Sequence, residues 1–451
     1  MGGDIVLITD KHHQLFQITL IVKHNACFTK VMPLNTWINT IGVAMRTLLA
    51  NANIFDGRHE KIVRGNILIE DSKIIEITKK YDPIFENTKI IDLKGQYVMP
   101  GLIDAHVHVT ANLTDLHQEH EHQACIYAKC FQTMNQMLLR GFTSVRDAGG
   151  ADAGILDVID KKIIEAPRLF ISGRALSQTA GHGDFRHKSD LMEPCACSIK
   201  SGSSISMICD GVPAVRKAAR EQLRQGATQI KIMASGGIAS PTDKVTNLQF
   251  SDEEIKAIVE EATHFGTYVM AHAYTPEAII RCVELGVKTI EHGNLLNNEA
   301  AKAMHQHQAY VVPTLAIYNA FKQHGAETGT PQHTLEKLQQ VQQQALESIQ
   351  IAKDNGVDVG FGTDLLGELS QYQSSEFTLR SQVERPFETL HSATYINAKM
   401  MDMEGQLGVI SEGAFADLLI LKENPLENIS LLDEKGSNIS MIIKNGRFIK
   451  K

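Results

Sequence analysis

Residues 100–108 read PGLIDAHVH, an apolar run that ends in two histidines two positions apart. In a β-strand alternate side chains share a face, so His106 and His108 point the same way, close enough to share one cation. Whether they do depends on what else converges there. From Gly141 onward, short β-branched runs alternate with amphipathic helical stretches, the pattern of repeated βα units on a parallel sheet. The runs YVMPGLIDAHVHV, FTSVRDAG, RLFISGRAL, QIKIMASGG, YVMAHAY, TIEHGN, YVVPTLA and VDVGFGTD number eight. Eight strands close a TIM-type (β/α)8 barrel.

Helix boundaries are marked between these runs. Ser251 and Glu254 have the spacing of a capping box ahead of IKAIVEEATHFG, and Gly266 ends that helix. Thr275 and Pro276 open EAIIRCVELG, which stops at Gly286. The flanks read instead as short strands joined by turns: TLLANANIFDG, GNILIEDSKIIEIT and TKIIDLKGQ before the barrel, ADLLILKE and MIIKNGRFI after it. Asn445-Gly446 is a hairpin turn signal. Either set of strands alone leaves an apolar face wet, so the two are expected to meet as one small β-sandwich. The expected organisation is a barrel over 98–405, a sandwich from 47–97 and 406–451, and an extension over 1–46 with no assigned role.

The 451 residues are 43% hydrophobic and 21% charged, an ordinary globular composition with ample material for a large core. A net charge of -8 with no long basic run argues against a nucleic-acid partner. Seven scattered cysteines do not form the framework of a small secreted domain, nor the paired CxxC of a structural zinc site, and are read as free thiols. Asp10, Lys11, His12 and His13 interrupt the first apolar patches before a signal-peptide core could form. No uncharged run is long enough to span a bilayer. The expectation is a cytoplasmic protein without a membrane partner.

In such a barrel the carboxyl ends of all strands face one mouth, where residues distant in sequence can meet. His106 and His108 end the first run, Lys231 lies in the fourth, His272 ends the fifth, His292 the sixth and Asp364 the eighth. Each has an ordinary reading alone: a core histidine, a lysine reaching for solvent, an aspartate capping the next helix. Six such groups at strand ends of one polarity point to a metal site. Two other HxH pairs provide a control, His120 with His122 and His305 with His307. Both fall in helical or helix-ending stretches, where a two-residue step turns the side chains by about 200° and separates them.

From about Thr47 to its end the chain resembles the amidohydrolase superfamily, and within it the prolidase-like metal-dependent dipeptidases and carboxypeptidases related to imidazolonepropionase. The matching words are VMPGLIDAHVH, GFTSVRDAGG, AGHGD, QIKIMASGG, AHAY, TIEHG, GTD and GAFADLLIL. The resemblance implies two divalent metal ions, most simply zinc. His106, His108 and Asp364 would hold one, His272 and His292 the other, and Lys231, carboxylated by carbon dioxide, would bridge them. Carboxylation turns a cation that repels metals into an anionic oxygen donor. A hydroxide shared by the metals would attack an amide carbonyl, with Asp364 as general base and then general acid.

His182 in AGHGD resembles the family histidine that polarises the carbonyl. Tyr274 in AHAY is similar to the tyrosine that binds a substrate α-carboxylate. Arg186 is a further candidate for a carboxylate contact. The stretch after Asp364, LLGELSQYQSSEFTLRSQ, lacks a histidine often present in the family, and Glu376 remains there. The implied activity is hydrolysis of dipeptides or N-acyl amino acids, aryl-acyl conjugates included, by a homo-oligomer. The alternatives are a cyclic-amide hydrolase or deaminase on the same scaffold, and a barrel module without chemistry.

Overall fold

The computed structural model describes residues 46–80, 88–118, 121–186, 188–189 and 204–450, with the backbone of two short paired strands, Leu7–Ile8 and Thr19–Leu20. The remainder of the extension, Cys27, Cys195, Cys197 and His120 lie outside the described residues. Among the described cysteines, Cys125, Cys130, Cys209 and Cys282 are free thiols.

The architecture is of TIM-barrel type, mixed α/β, with parallel strands alternating with helices. Leu102–Val107, Phe142–Asp147 and Arg168–Phe170 form one parallel sheet in that order. A second parallel sheet runs Ser206–Ile208, Ala175–Ser177, Ile230–Met233, Val269–Ala273, Thr289–His292, Tyr310–Val312. Two of the expected strands differ in form. RLFISGRAL breaks into Arg168–Phe170 and Ala175–Ser177, and the halves pair with opposite neighbours, so this segment links the two sheets.

VDVGFGTD is not a regular strand. It still lies between the sheets, with Gly360 N donating to Val311 O at 2.8 Å and Ala105 N to Phe361 O at 2.8 Å. The segment packs closely on its neighbours: a Cβ on Gly362 would sit 2.4 Å from Val312 Cγ1 and 2.8 Å from His106 Cβ, an approach only glycine permits. Asn397 fastens the segment, its amide donating to Ile103 O at 2.7 Å and Phe361 O at 2.8 Å while its oxygen accepts from Phe361 N. Asp364 therefore leaves an irregular segment, not a strand end, and its own N donates to His106 O at 2.8 Å.

The flanks join as expected, but as one ladder instead of two stacked sheets. Leu418–Leu421 pairs antiparallel with Tyr97–Pro100 on one side and Ile439–Lys444 on the other, so a single eight-stranded sheet contains strands from both flanks of the barrel. The sheet folds back on itself, with Ile74 N bonded to Ala414 O at 2.9 Å. It encloses Leu49, Ile67, Val98, Leu418, Ile420 and Ile443. Curling hides these side chains without a second sheet. Asn445 and Gly446 form the hairpin turn with φ of 48° and 71°, as a type I′ turn requires.

The helix signals correspond to elements. Asp252–His264 carries the complete Ser251–Glu254 capping box, and Thr275 caps Pro276–Glu284 by accepting from Ala278 N. His122 caps Gln123–Leu139, and His305 and His307 sit at the end of Asn298–Gln306. No helix among the described residues is long and apolar enough to cross a membrane.

Candidate active site

Parallel pairing aligns the strand ends: Met233 faces His272, and Ala273 faces His292 in register. As a result His106, His108, Lys231, His272, His292, Asp364, His182 and Tyr274 all line one cavity of about 40 Å³. Leu116, Phe185, Ile205, Ile238, Ile317 and Phe321 form its apolar wall. A larger cavity of about 1000 Å³, bordered by Arg168, Phe415 and Lys444, shares no lining residue with it. Arg186 is held by Asp184, with Nε and Nη2 each 2.7 Å from a carboxylate oxygen.

The ring nitrogens show what the site is built to hold. His106 Nδ1 donates to Glu291 Oε2 at 2.6 Å and His108 Nδ1 to Gly149 O at 2.9 Å. Each ring thus keeps an Nε2 lone pair directed inward. His272 is the reverse: Nε2 donates to Gly236 O at 3.2 Å, so Nδ1 is left. His292 shares Nδ1 with the Thr314 hydroxyl at 2.8 Å, leaving Nε2. The Nε2 atoms of His106 and His108 both lie 3.3 Å from Asp364 Oδ1, and His106 Nε2 makes no hydrogen bond although it is buried. Lone pairs and a carboxylate oxygen brought within 4.8 Å of one another repel unless a cation sits among them. This donor set fits a divalent metal.

Electrostatics agree. Burial, reinforced by His182, His292 and Lys231, pushes the His272 imidazole well below its ordinary value, and burial does the same to His292. Both are therefore neutral donors. Burial and Lys231 act downward on His106, but Asp364 and Glu291 outweigh them and raise it. Asp364 is held well below the usual carboxylate range, because its imidazole neighbours, His106 first, overcome the effect of burial. Burial brings the Lys231 ammonium down to about 8, and it has no hydrogen-bond partner among the described residues.

The backbone is strained at the same place. His292, Thr314 and Asp364 have φ of 73°, 49° and 56°, left-handed conformations that non-glycine residues hold only under tertiary constraint.

Several supporting residues escaped the sequence reading. Glu291 also accepts from Arg146 Nη2 at 2.8 Å, and both are fully buried. Asp104 accepts from His106 N at 3.1 Å and from the Thr363 hydroxyl at 2.6 Å, tying the first histidine to the segment that carries Asp364. Asp147 accepts from Val109, Gly149 and Ala151 N, holding the loop whose carbonyl orients His108. The available signal was position for two of them, since Asp104 lies two residues before His106 and Glu291 one before His292, whereas Asp147 lies in a motif that carries no proposed ligand.

Glu376 supports the helix Leu315–His324, which begins without a side-chain cap of its own. Its Oε2 accepts from Ala316 N at 2.6 Å while Oε1 has no partner. Burial pushes this carboxyl from 4.5 to about 8 against the opposing Arg380 guanidinium. The folded state then keeps a proton that the unfolded chain has released, so this group's contribution to stability falls as pH rises from about 5 to about 8. Glu376→Gln keeps the acceptor and cannot ionise. Its melting temperature is expected to decline less than that of the parent across this range in a calorimetric pH series.

A cluster of histidines and an aspartate that could hold a metal ion, at one mouth of the parallel sheets and facing a half-apolar cavity, has the form of a metal-dependent hydrolase site on a TIM-barrel-type fold. The chain belongs to the Amidohydrolase family, whose model matches residues 97–449, and is a hydrolytic enzyme acting on amide bonds. It is 30% identical over 427 residues to the ochratoxinase of Aspergillus niger, covering 90% of this chain and 86% of that one. Among solved structures it resembles a prolidase complexed with N-methylphosphonate-L-proline, at 46% identity and a TM-score of 0.88, covering 90% of this chain and 100% of the other. A Xaa-Pro dipeptidase with methionine bound in its active site matches at 28% identity and a TM-score of 0.79, over 90% of this chain and 100% of that one.

Proposed function

We propose that the enzyme hydrolyses the amide bond of dipeptides or N-acyl amino acids, aryl-acyl conjugates included. The observation that carries this reading is the convergence of His106, His108 and Asp364 beside Lys231, His272 and His292 on one small cavity. In this reading His106 and His108, through Nε2, and Asp364 would hold one cation. His272 through Nδ1 and His292 through Nε2 would hold the other, and Lys231, as its carbamate, would supply anionic oxygens to both. Zinc suits these donors. The likeness to a prolidase, a Xaa-Pro dipeptidase and ochratoxinase supports the substrate class. The two parallel sheets and the 359–364 segment are taken as one closed barrel over 98–405, with 47–97 and 406–451 as a second domain. Family resemblance supports a homo-oligomer.

Bound at these donors, two divalent cations supply a Lewis acid and a water ionised near neutral pH. The protein's own groups do the rest. Asp364, kept ionised by its imidazole neighbours, takes a proton from the nucleophile and returns it to the leaving nitrogen. His182 presents Nε2 to the cavity, where the carbonyl oxygen gains charge. The apolar wall excludes water and accepts a hydrophobic substituent.

Tyr274 needs closer reading. Asn294 donates its amide to Pro313 O at 2.9 Å, so its oxygen accepts from Tyr318, at 2.7 Å. The Tyr318 oxygen then accepts from Tyr274, at 3.0 Å. A substrate carboxylate must take that proton from Tyr318. Tyr274→Phe is therefore expected to raise KM more than it lowers kcat.

The deciding experiment offers the metal-loaded enzyme Xaa-Pro dipeptides, N-acetyl and N-benzoyl amino acids, cyclic amides and aminopurines. Release of free amino acid is expected. Release of ammonia without amino acid would overturn the reading in favour of a deaminase.

A further inference from the structure

His182 stands at the end of a polar chain that runs away from the cavity. Its Nδ1 is 2.9 Å from Ser240 Oγ, and Ser240 Oγ is hydrogen-bonded in turn to Asp243 Oδ1. An ionised carboxylate only accepts, so the hydroxyl donates to Asp243 and its oxygen accepts from His182 Nδ1. That places a proton on Nδ1 and leaves Nε2, which has no partner among the described residues, facing the cavity, where it donates to a carbonyl oxygen in the doubly protonated ring, a cation the Asp243 carboxylate behind Ser240 favours.

The ring is closely packed as well. It stacks on His272 at 4.2 Å and 21°. A Cβ on Gly237 would fall 2.3 Å from His182 Cε1. Only glycine permits that approach. Asp243 is 1% exposed at its side chain and also accepts from Gly237 N at 3.2 Å and Gln249 Nε2 at 2.9 Å. Gln249 closes the circuit by accepting from His182 N at 2.8 Å.

A second element pins this loop from outside. Helix Gln332–Gln342 extends Lys337, whose ammonium donates to Gly237 O at 3.0 Å, Ser240 O at 2.8 Å and Asp243 Oδ1 at 3.2 Å. All three donors are spent on one loop. One turn earlier His333 Nε2 reaches Ala239 O at 3.1 Å. Ile238 and Ala239, between these anchor points, line the cavity.

We propose that Asp243, acting through Ser240, is a positioning residue for His182, and that Lys337 holds this pair in place from the helix over the loop. The inference rests on His182 acting on the substrate as read above. A serine and a carboxylate behind a histidine fix its ring angle, and losing such support costs about 10- to 100-fold in activity. The full design therefore has a distinct supporting arm for the carbonyl-directed histidine, separate from the acids behind the metal-binding ones.

The test compares Asp243→Asn, Ser240→Ala and Lys337→Met with His182→Asn, alone and combined, using glycyl-L-proline and N-benzoyl-L-phenylalanine as probes. Crystal structures and metal content are determined for each. Asp243→Asn and Ser240→Ala are expected to lower kcat about 10- to 100-fold with KM little changed and metal content intact. In the His182→Asn background they are expected to add nothing. Their crystal structures are expected to show the imidazole turned from its stack on His272. A ring that stays in place, or full additivity with His182→Asn, overturns the proposal. If His182→Asn itself turns over normally, the role given to His182 fails, while the crystal structures still decide whether Asp243 sets the ring.

Discussion

Lys231→Ala is expected to fold and to lose turnover by about three orders of magnitude or more, because it removes the group that would join two cations into one site. Lys231 sits in the middle of Ile230–Met233, is 1% exposed, and faces a cluster of donors with which an ammonium has nothing to exchange. Burial lowers it to about 8, so a neutral amine is accessible slightly above physiological pH. A neutral amine is the form that adds carbon dioxide. Loading the parent enzyme with metal at about pH 8 in the presence of bicarbonate is therefore expected to give two equivalents and full activity, while Lys231→Ala retains one or fewer. Carbon-13 NMR with labelled bicarbonate checks the carbamate directly. Because alanine leaves room where the side chain was, acetate or propionate is expected to restore part of the activity by supplying the missing oxygens. A Lys231→Ala protein that holds two equivalents and turns over normally would remove the lysine from the site.

The candidate donors that meet at the cavity were readable in the sequence for a simple reason: a strand end is a fixed address, and HVH, MAHAY and TIEH each put a titratable group at one. The helix-borne His305 and His307 share the HxH spacing with His106 and His108 and end up exposed, His305 bonded to Gly356 O at 2.9 Å. Periodicity separated the two cases. What it could not separate was a buried charge from an exposed one. Arg146 and Glu291 are ordinary letters in SVRD and TIEH, and their burial follows from which side of the sheet is covered, which is settled by strands far away in the chain. The support behind His182 was equally hidden, since Lys337 and Asp243 are 94 residues apart. The close approach of Gly362 to His106 and Val312 within 359–364 is likewise a contact no local propensity encodes. The single curled sheet in place of a sandwich has the same origin, since strand propensity says which runs extend but not that Leu418–Leu421 joins the flanks edge to edge.

Arg146→Met is expected to be the most destabilising single change in the barrel, costing about 3–5 kcal/mol, because it leaves the Glu291 carboxylate in the core without its guanidinium counter-charge. The guanidinium threads the interior and uses most of its donors: Nε to Ala105 O at 2.7 Å, Nη2 to Glu291 Oε1 at 2.8 Å, Nη1 to Tyr268 and Thr289 hydroxyls at 3.3 Å each. Glu291 owes its ionised state to this neighbour, since burial alone would raise its carboxyl, and Arg146 ahead of His106 and Lys231 holds it far below the usual range. Glu291 in turn fixes the His106 ring by accepting from Nδ1, so the pair connects core stability to the site. The two contributions separate in a double variant. Replacing both charges, as in Arg146→Met with Glu291→Gln, is expected to recover much of the lost stability in urea unfolding, because no unpaired charge remains. Metal affinity is expected to stay about 10- to 100-fold below the parent, because a neutral amide holds the His106 proton more weakly than a carboxylate does. Recovery of both stability and metal affinity would mean that the buried pair serves packing alone and that His106 needs no anionic partner to bind its cation.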